Sequence, residues 1–67
     1  MIEYGGLFYI GLENGEIWQY DEQEFVLISV FLNPIKSLFS DNNLLFATEK
    51  NEETIYLYNG ISFTNIS

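Results

Sequence analysis

Leu7-Phe8-Tyr9-Ile10 and Leu44-Leu45-Phe46-Ala47 are two apolar runs of the same kind, and laying one over the other decides the fold. The offset is 44 − 7 = 37, and at that offset Asn14 falls on Asn51. One extra residue follows in the second copy, in the stretch Glu52-Glu53, and the offset becomes 55 − 17 = 38. Ile17 then falls on Ile55, Trp18 on Tyr56, Tyr20 on Tyr58, Asp21 on Asn59, Phe25 on Phe63, Ile28 on Ile66 and Ser29 on Ser67. The matches include polar and aromatic positions, so shared hydrophobicity does not produce them. The slip sits between apolar runs, where a surface turn tolerates insertion.

Each copy carries four strand signals separated by turn residues. In the second copy the strands are expected over Ile35 to Ser40, Leu44 to Thr48, Thr54 to Tyr58 and Ser62 to Ile66. Asp41-Asn42-Asn43, Lys50 to Glu53 and Asn59-Gly60 separate them. In the first copy Gly5-Gly6, Asn14-Gly15 and Asp21-Glu22-Gln23 play the same parts. Gly-Gly and Asn-Gly supply the positive φ angles that tight hairpins require. Aromatic and β-branched residues fill the strands, and no stretch has a helical period. The expected product is an all-β chain of two four-stranded antiparallel meanders, residues 1–32 and 33–67, forming one unit over 1–67. The inner strands are apolar on both faces: Leu7 and Tyr9 point one way, Phe8 and Ile10 the other. A sheet wetted on one side alternates apolar with polar, so these sheets are expected to stack on both sides. The link Val30-Phe31-Leu32-Asn33-Pro34 carries the chain from one sheet to the next.

A four-stranded meander repeated at this period and stacked face to face is a propeller blade. The stretch from Leu7 to Asp21 resembles bacterial β-propeller repeats of the form hydrophobic strand, Gly-Thr-x-x-Gly, aromatic strand, Asp-Gly. Tyr58-Asn59-Gly60-Ile61-Ser62-Phe63 is similar to the Asp/Asn-Gly, serine, aromatic ending of the same repeats. Leu12 stands where that pattern has threonine, and Glu49 follows Thr48 with no glycine. The resemblance implies two blades of a β-propeller completed by oligomerisation. Two blades cannot close a ring, and a stacked pair leaves an apolar face bare on each side. Copies of the chain are therefore expected to complete it, a trimer giving six blades in preference to a tetramer giving eight. The expected assembly resembles that of small lectins that build six blades from three two-blade chains.

The composition agrees. The chain has 67 residues, 48% of them hydrophobic and 18% aromatic, more apolar surface than so small a unit hides. It lacks cysteine and histidine, so disulfides and a structural zinc site are excluded as staples and self-association remains. Ten carboxylates face only Lys36 and Lys50, a net charge of −8. That balance argues against nucleic acid and anionic membranes, which require a basic footprint. No signal peptide or membrane span is visible, and a cytoplasmic location is expected.

Trp18, Tyr20, Tyr56 and Tyr58 share one face of the third strand in their copies. Core packing between blades is the preferred reading, and aromatic platforms for a ligand are the functional one. Glu13 and Glu49 lie beside the matching second turns; solvated hairpin tips are the preferred reading, and the rim of a binding mouth is the functional one. No calcium loop pattern is present, and no metal or cofactor is expected. Without histidine, cysteine or arginine, catalysis finds little support. The expected function is a non-catalytic, homo-oligomeric binding module. It would take a small or medium ligand, carbohydrate-like or other, at repeated sites between blades or at the ring mouth. The alternatives are an acidic protein-interaction scaffold or inhibitor, of the kind a virus or mobile element carries, and a fragment of a longer propeller.

Overall fold

The computed structural model describes residues 1–51 and 53–66. Eight strands form two separate four-stranded sheets: β1 (Ile2–Tyr4), β2 (Leu7–Gly11), β3 (Glu16–Tyr20) and β4 (Phe25–Val30), then β5 (Ile35–Asp41), β6 (Leu44–Glu49), β7 (Ile55–Tyr58) and β8 (Phe63–Asn65). Each sheet is an antiparallel meander in chain order, and the described residues contain no helix. The expected strands are all present, with shifted ends: β5 and β6 each run one residue further, through Asp41 and Glu49, which the sequence places in or beside turns. Thr54, Ser62 and Ile66 lie outside the ladders, although Ile66 N still donates to Ile55 O at 2.9 Å. Glu52, part of the stretch where the repeat gains a residue, and Ser67, the repeat counterpart of Ser29, lie outside the described residues.

The first hairpin of each sheet shows why the turns form. Gly5 and Gly6 have φ of 61° and 84°, and their counterparts Asn42 and Asn43 have 52° and 63°. Two successive positive φ angles give the twist that matches paired strands, and glycine and asparagine reach them at least cost. The third hairpins are also matched. Asp21 Oδ1 accepts from the Gln23 and Glu24 amides at 2.9 Å each, and Asn59 Oδ1 accepts from the Ile61 and Ser62 amides at 2.8 Å each.

The two sheets pack face to face. Register places Leu7, Tyr9 and Gly11 of β2 on one face with Ile17 of β3, and puts Phe8, Ile10, Trp18 and Tyr20 on the other. In the second sheet Leu45 and Ala47 share a face with Tyr58 and Tyr56. Tyr9, Leu45 and Tyr58 form one buried cluster, and Ile17, Ile35 and Ala47 form a second. Tyr9 and Tyr58 meet edge to face with centroids 5.8 Å apart, a favoured geometry for aromatic pairs. Close approach at one point requires glycine: a Cβ on Gly11 would collide with the side chain of Ile35. The hairpin tips are tied by Tyr4, whose hydroxyl donates to Asn43 O at 2.7 Å. One face of each sheet stays open. On the first it carries Phe25, Leu27 and Val30, on the second Phe39, Leu44 and Ile55, all of them exposed.

Candidate functional site

The link between the sheets builds a concavity as it crosses from β4 to β5. Phe31 N donates to Gly15 O at 2.8 Å, and Ile35 N donates to Leu12 O at 3.1 Å. Gly15, at φ 89°, lets the link lie directly against it, since a Cβ there would strike Phe31 O. The link thus rests on the β2–β3 turn and turns the Phe31 ring toward the second sheet. That ring meets Tyr56 edge to face at 4.6 Å and Phe63 at 5.8 Å. A concavity of about 430 Å³ lies beside it, with Asn33, Glu49, Thr54 and Tyr56 in its wall.

Glu49 is the one buried charged residue among those described, only 4% exposed. A carboxylate out of water needs strong hydrogen bonds. The Asn33 backbone N–H and side-chain amide donate to its Oε2 at 3.1 and 3.4 Å, and the Tyr56 hydroxyl donates to its Oε1 at 3.0 Å. Bonds to an ionised acceptor are about twice as strong as neutral ones, which holds the carboxylate in place. Thr54 Oγ1, in the same wall, is buried and has no hydrogen-bond partner among the described residues. Buried hydroxyls are rarely left without a partner.

The structure separates the six expected site residues. Glu49 and Tyr56 come together in the concavity; Glu49 is not the solvated hairpin tip expected, because β6 runs through it and the link and Tyr56 cover its carboxylate. Tyr58 lies in the core, its hydroxyl donating to Gly60 O at 3.2 Å, and burial, with the neighbouring Tyr9, raises its pKa above the usual 10.0. Trp18 and Tyr20 lie on the open face of the first sheet. The Trp18 indole N–H donates to Glu16 Oε1 at 2.9 Å, and Tyr20 stacks on Phe25 at 4.5 Å. Glu13 sits at an exposed tip and pairs with Lys50 across the sheets at 3.0 Å. Such an exposed pair contributes little to stability.

Phe31, Asn33 and Thr54 were not legible as site residues. The link reads as a connector in the sequence, and Thr54 reads as the start of a strand. A signal did exist for Glu49, whose counterpart at an offset of 37 is Leu12: a carboxylate and an apolar side chain cannot serve the same environment. Leu12 lies in a second concavity of about 370 Å³ on the open face, with Ile10, Trp18 and Phe25. Leu12, Trp18 and Phe25 are the repeat counterparts of Glu49, Tyr56 and Phe63 in the first concavity, so part of one location recurs on both sheets with different chemistry.

No family model, curated protein or solved structure matches the chain. The arrangement itself can accept hydrogen bonds through Glu49, exchange them through Thr54 and Tyr56, and stack an apolar surface on Phe31 and Tyr56. Among the described residues no three acidic side chains converge as a metal cluster would.

Proposed function

We propose that this chain is a non-catalytic binding module, two β-propeller blades that self-associate and take a small hydroxyl-rich ligand, such as a saccharide, between blades. The observation that carries this reading is the pairing of a held, buried carboxylate with the unpartnered Thr54 hydroxyl in one aromatic-walled concavity. A sugar presents hydroxyls to the first two and an apolar ring face to the third. Isotope-edited NMR titration with a panel of saccharides tests it. Binding should shift the amides of Glu49, Thr54 and Tyr56, and Glu49→Gln or Thr54→Val should weaken it about tenfold, the value of one good hydrogen bond. No response to any saccharide, or wild-type affinity in both variants, sinks the proposal.

A second reading, an acidic docking scaffold, draws on the exposed β3–β4 tip, where Asp21, Glu22 and Glu24 cluster within four residues. Its affinity for a basic partner would fall steeply with salt, whereas stacking in a pocket would not.

A further inference from the structure

We propose that a second copy of this chain covers the open face of the first sheet with the open face of its own second sheet. The contact repeats, head to tail, the packing that joins the two sheets within one chain. This rests on reading the sheets as equivalent blades, and it names the faces that the self-association uses.

The internal interface is not symmetric. The first sheet contributes the face bearing Tyr9 and Ile17, and the second contributes the face bearing Leu45, Ala47, Tyr56 and Tyr58. By the repeat, the counterparts of Leu45, Ala47, Tyr56, Tyr58 and Phe63 are Phe8, Ile10, Trp18, Tyr20 and Phe25, all on the open face of the first sheet. The counterparts of Ile2, Leu7, Tyr9 and Ile17 are Phe39, Leu44, Phe46 and Ile55, all on the open face of the second. The chain therefore exposes one copy of each half of an interface it has already formed once. The Tyr58–Phe63 ring pair of the closed face, at 4.8 Å, recurs as Tyr20–Phe25 at 4.5 Å on the open one. Most differences across the new junction keep an apolar or aromatic side chain: Phe39 replaces Ile2, Phe46 replaces Tyr9, Phe8 replaces Leu45, Ile10 replaces Ala47, Trp18 replaces Tyr56 and Leu57 replaces Gln19, while Thr48 replaces Gly11 and Asp41 replaces Tyr4.

A front-to-back contact of this kind leaves both complementary faces available at the ends of any stack, so it propagates until a ring closes. The second copy also closes the Trp18 concavity. With Leu12 where Glu49 stands inside the chain, the junction site is walled by Ile10, Leu12, Trp18 and Phe25, and its neighbouring carboxylate, Glu16, accepts the Trp18 indole N–H. The assembly thus alternates two classes of interblade site, one holding the buried Glu49 within each chain and one walled by Leu12 and Trp18 between chains.

The test uses Leu27→Asp on the first open face, Phe39→Asp on the second, and the emission of Trp18, the single tryptophan. Sedimentation or native mass spectrometry should find wild type as a multiple of the 7.8 kDa chain. Each variant should weaken association at least about tenfold. Phe39→Asp should shift Trp18 emission to the red although the two residues lie on opposite outer faces of their chain. Mixing the variants should restore a two-chain species, because one intact pair of faces remains, and return the emission toward the blue. Phe25→Ser and Leu44→Ser repeat the design should either aspartate variant lose its β-sheet circular dichroism.

A folded wild type that stays a single chain overturns the proposal, as does Phe39→Asp retaining wild-type mass, the mark of a contact between two first-sheet faces. A single chain that still binds saccharide beside Glu49 overturns the stacking alone. An assembled protein blind to saccharides overturns the binding reading alone.

Discussion

Ile17 and Ile55 are the same residue at the same place in the two copies of the repeat. Ile17 is 0% exposed and Ile55 is 37% exposed. Ile17 lies in the face that meets the second sheet; Ile55 lies in the corresponding face of the second sheet, which meets nothing in this chain. The same contrast runs the other way on the opposite faces. Phe63 is half-buried under Phe31, and its counterpart Phe25 is 61% exposed. The difference teaches that burial here belongs to the junction and not to the residue. Apolar transfer is non-directional and acts wherever a second surface arrives.

The sharpest way to break that comparison is to truncate the matched isoleucines. Ile17→Ala should cost about 3–4 kcal/mol, the usual range for a fully buried aliphatic side chain. That approaches the whole stability of so small a unit, so far-UV circular dichroism should show an unfolded chain at room temperature. Ile55→Ala should cost about 1 kcal/mol in dilute protein, read from the urea midpoint. Its cost should grow with protein concentration, since association protects the same face. Equal costs for both at low concentration would erase the distinction between closed and open faces.

A second contrast lies in Glu49 and its counterpart Leu12. Glu49→Ala leaves the Asn33 backbone N–H and the Tyr56 hydroxyl without this acceptor, a loss of about 2 kcal/mol by chemical denaturation. Leu12→Ala, at a half-buried apolar position, should cost about 1 kcal/mol. A Glu49→Leu protein more stable than wild type would mean that the carboxylate is kept for binding at the expense of the fold.

Gly11 and Thr48 sharpen the comparison at the level of backbone approach. Gly11→Ala should cost about 1–2 kcal/mol, because the added methyl meets Ile35 and the sheets must part locally. Thr48→Ala should change stability by less than about 0.5 kcal/mol, as for most surface substitutions. Urea midpoints of the two variants provide the check.

The smallest effect concerns Asp21 and Asn59, which make the same turn with different titration. The amides of Glu24 and Gln23 hold the Asp21 carboxyl below its ordinary value of 3.8. Its folded pKa is lowered, so its contribution is present above the unfolded value and is lost as pH falls through the folded one. NMR should show the Gln23 and Glu24 amides moving on acidification below 3.8, while the Ile61 and Ser62 amides, bonded to an amide oxygen, stay put. Asp21→Asn should abolish that movement with little change in melting temperature at neutral pH.

Much of this architecture was readable from residues alone. Gly5-Gly6 against Asn42-Asn43, and Asp21 against Asn59, are local chemistry: the hairpin conformation is set within four residues, and its sequence cost is the same in any surroundings. The site was less readable. Tyr56 stood out with Trp18 because aromatic repeats are conspicuous, and Glu49 stood out only as a charge near a turn. Phe31 and Asn33 gave no warning, because what they do depends on where the link lies after the sheets have stacked.

The sequence by itself determined the eight strands, their turns, the two meanders and the apolar character of both faces of each sheet. Strand alternation sorts side chains into two faces, but with both faces apolar it cannot say which one closes. Tertiary structure decided that. The link, laid along the β2–β3 turn and passing Gly15, brings the Tyr9 face of the first sheet onto the Leu45 face of the second. In doing so it buries Glu49 under the donors that hold it, and leaves Leu12, at the same place in the repeat, beside an open Trp18.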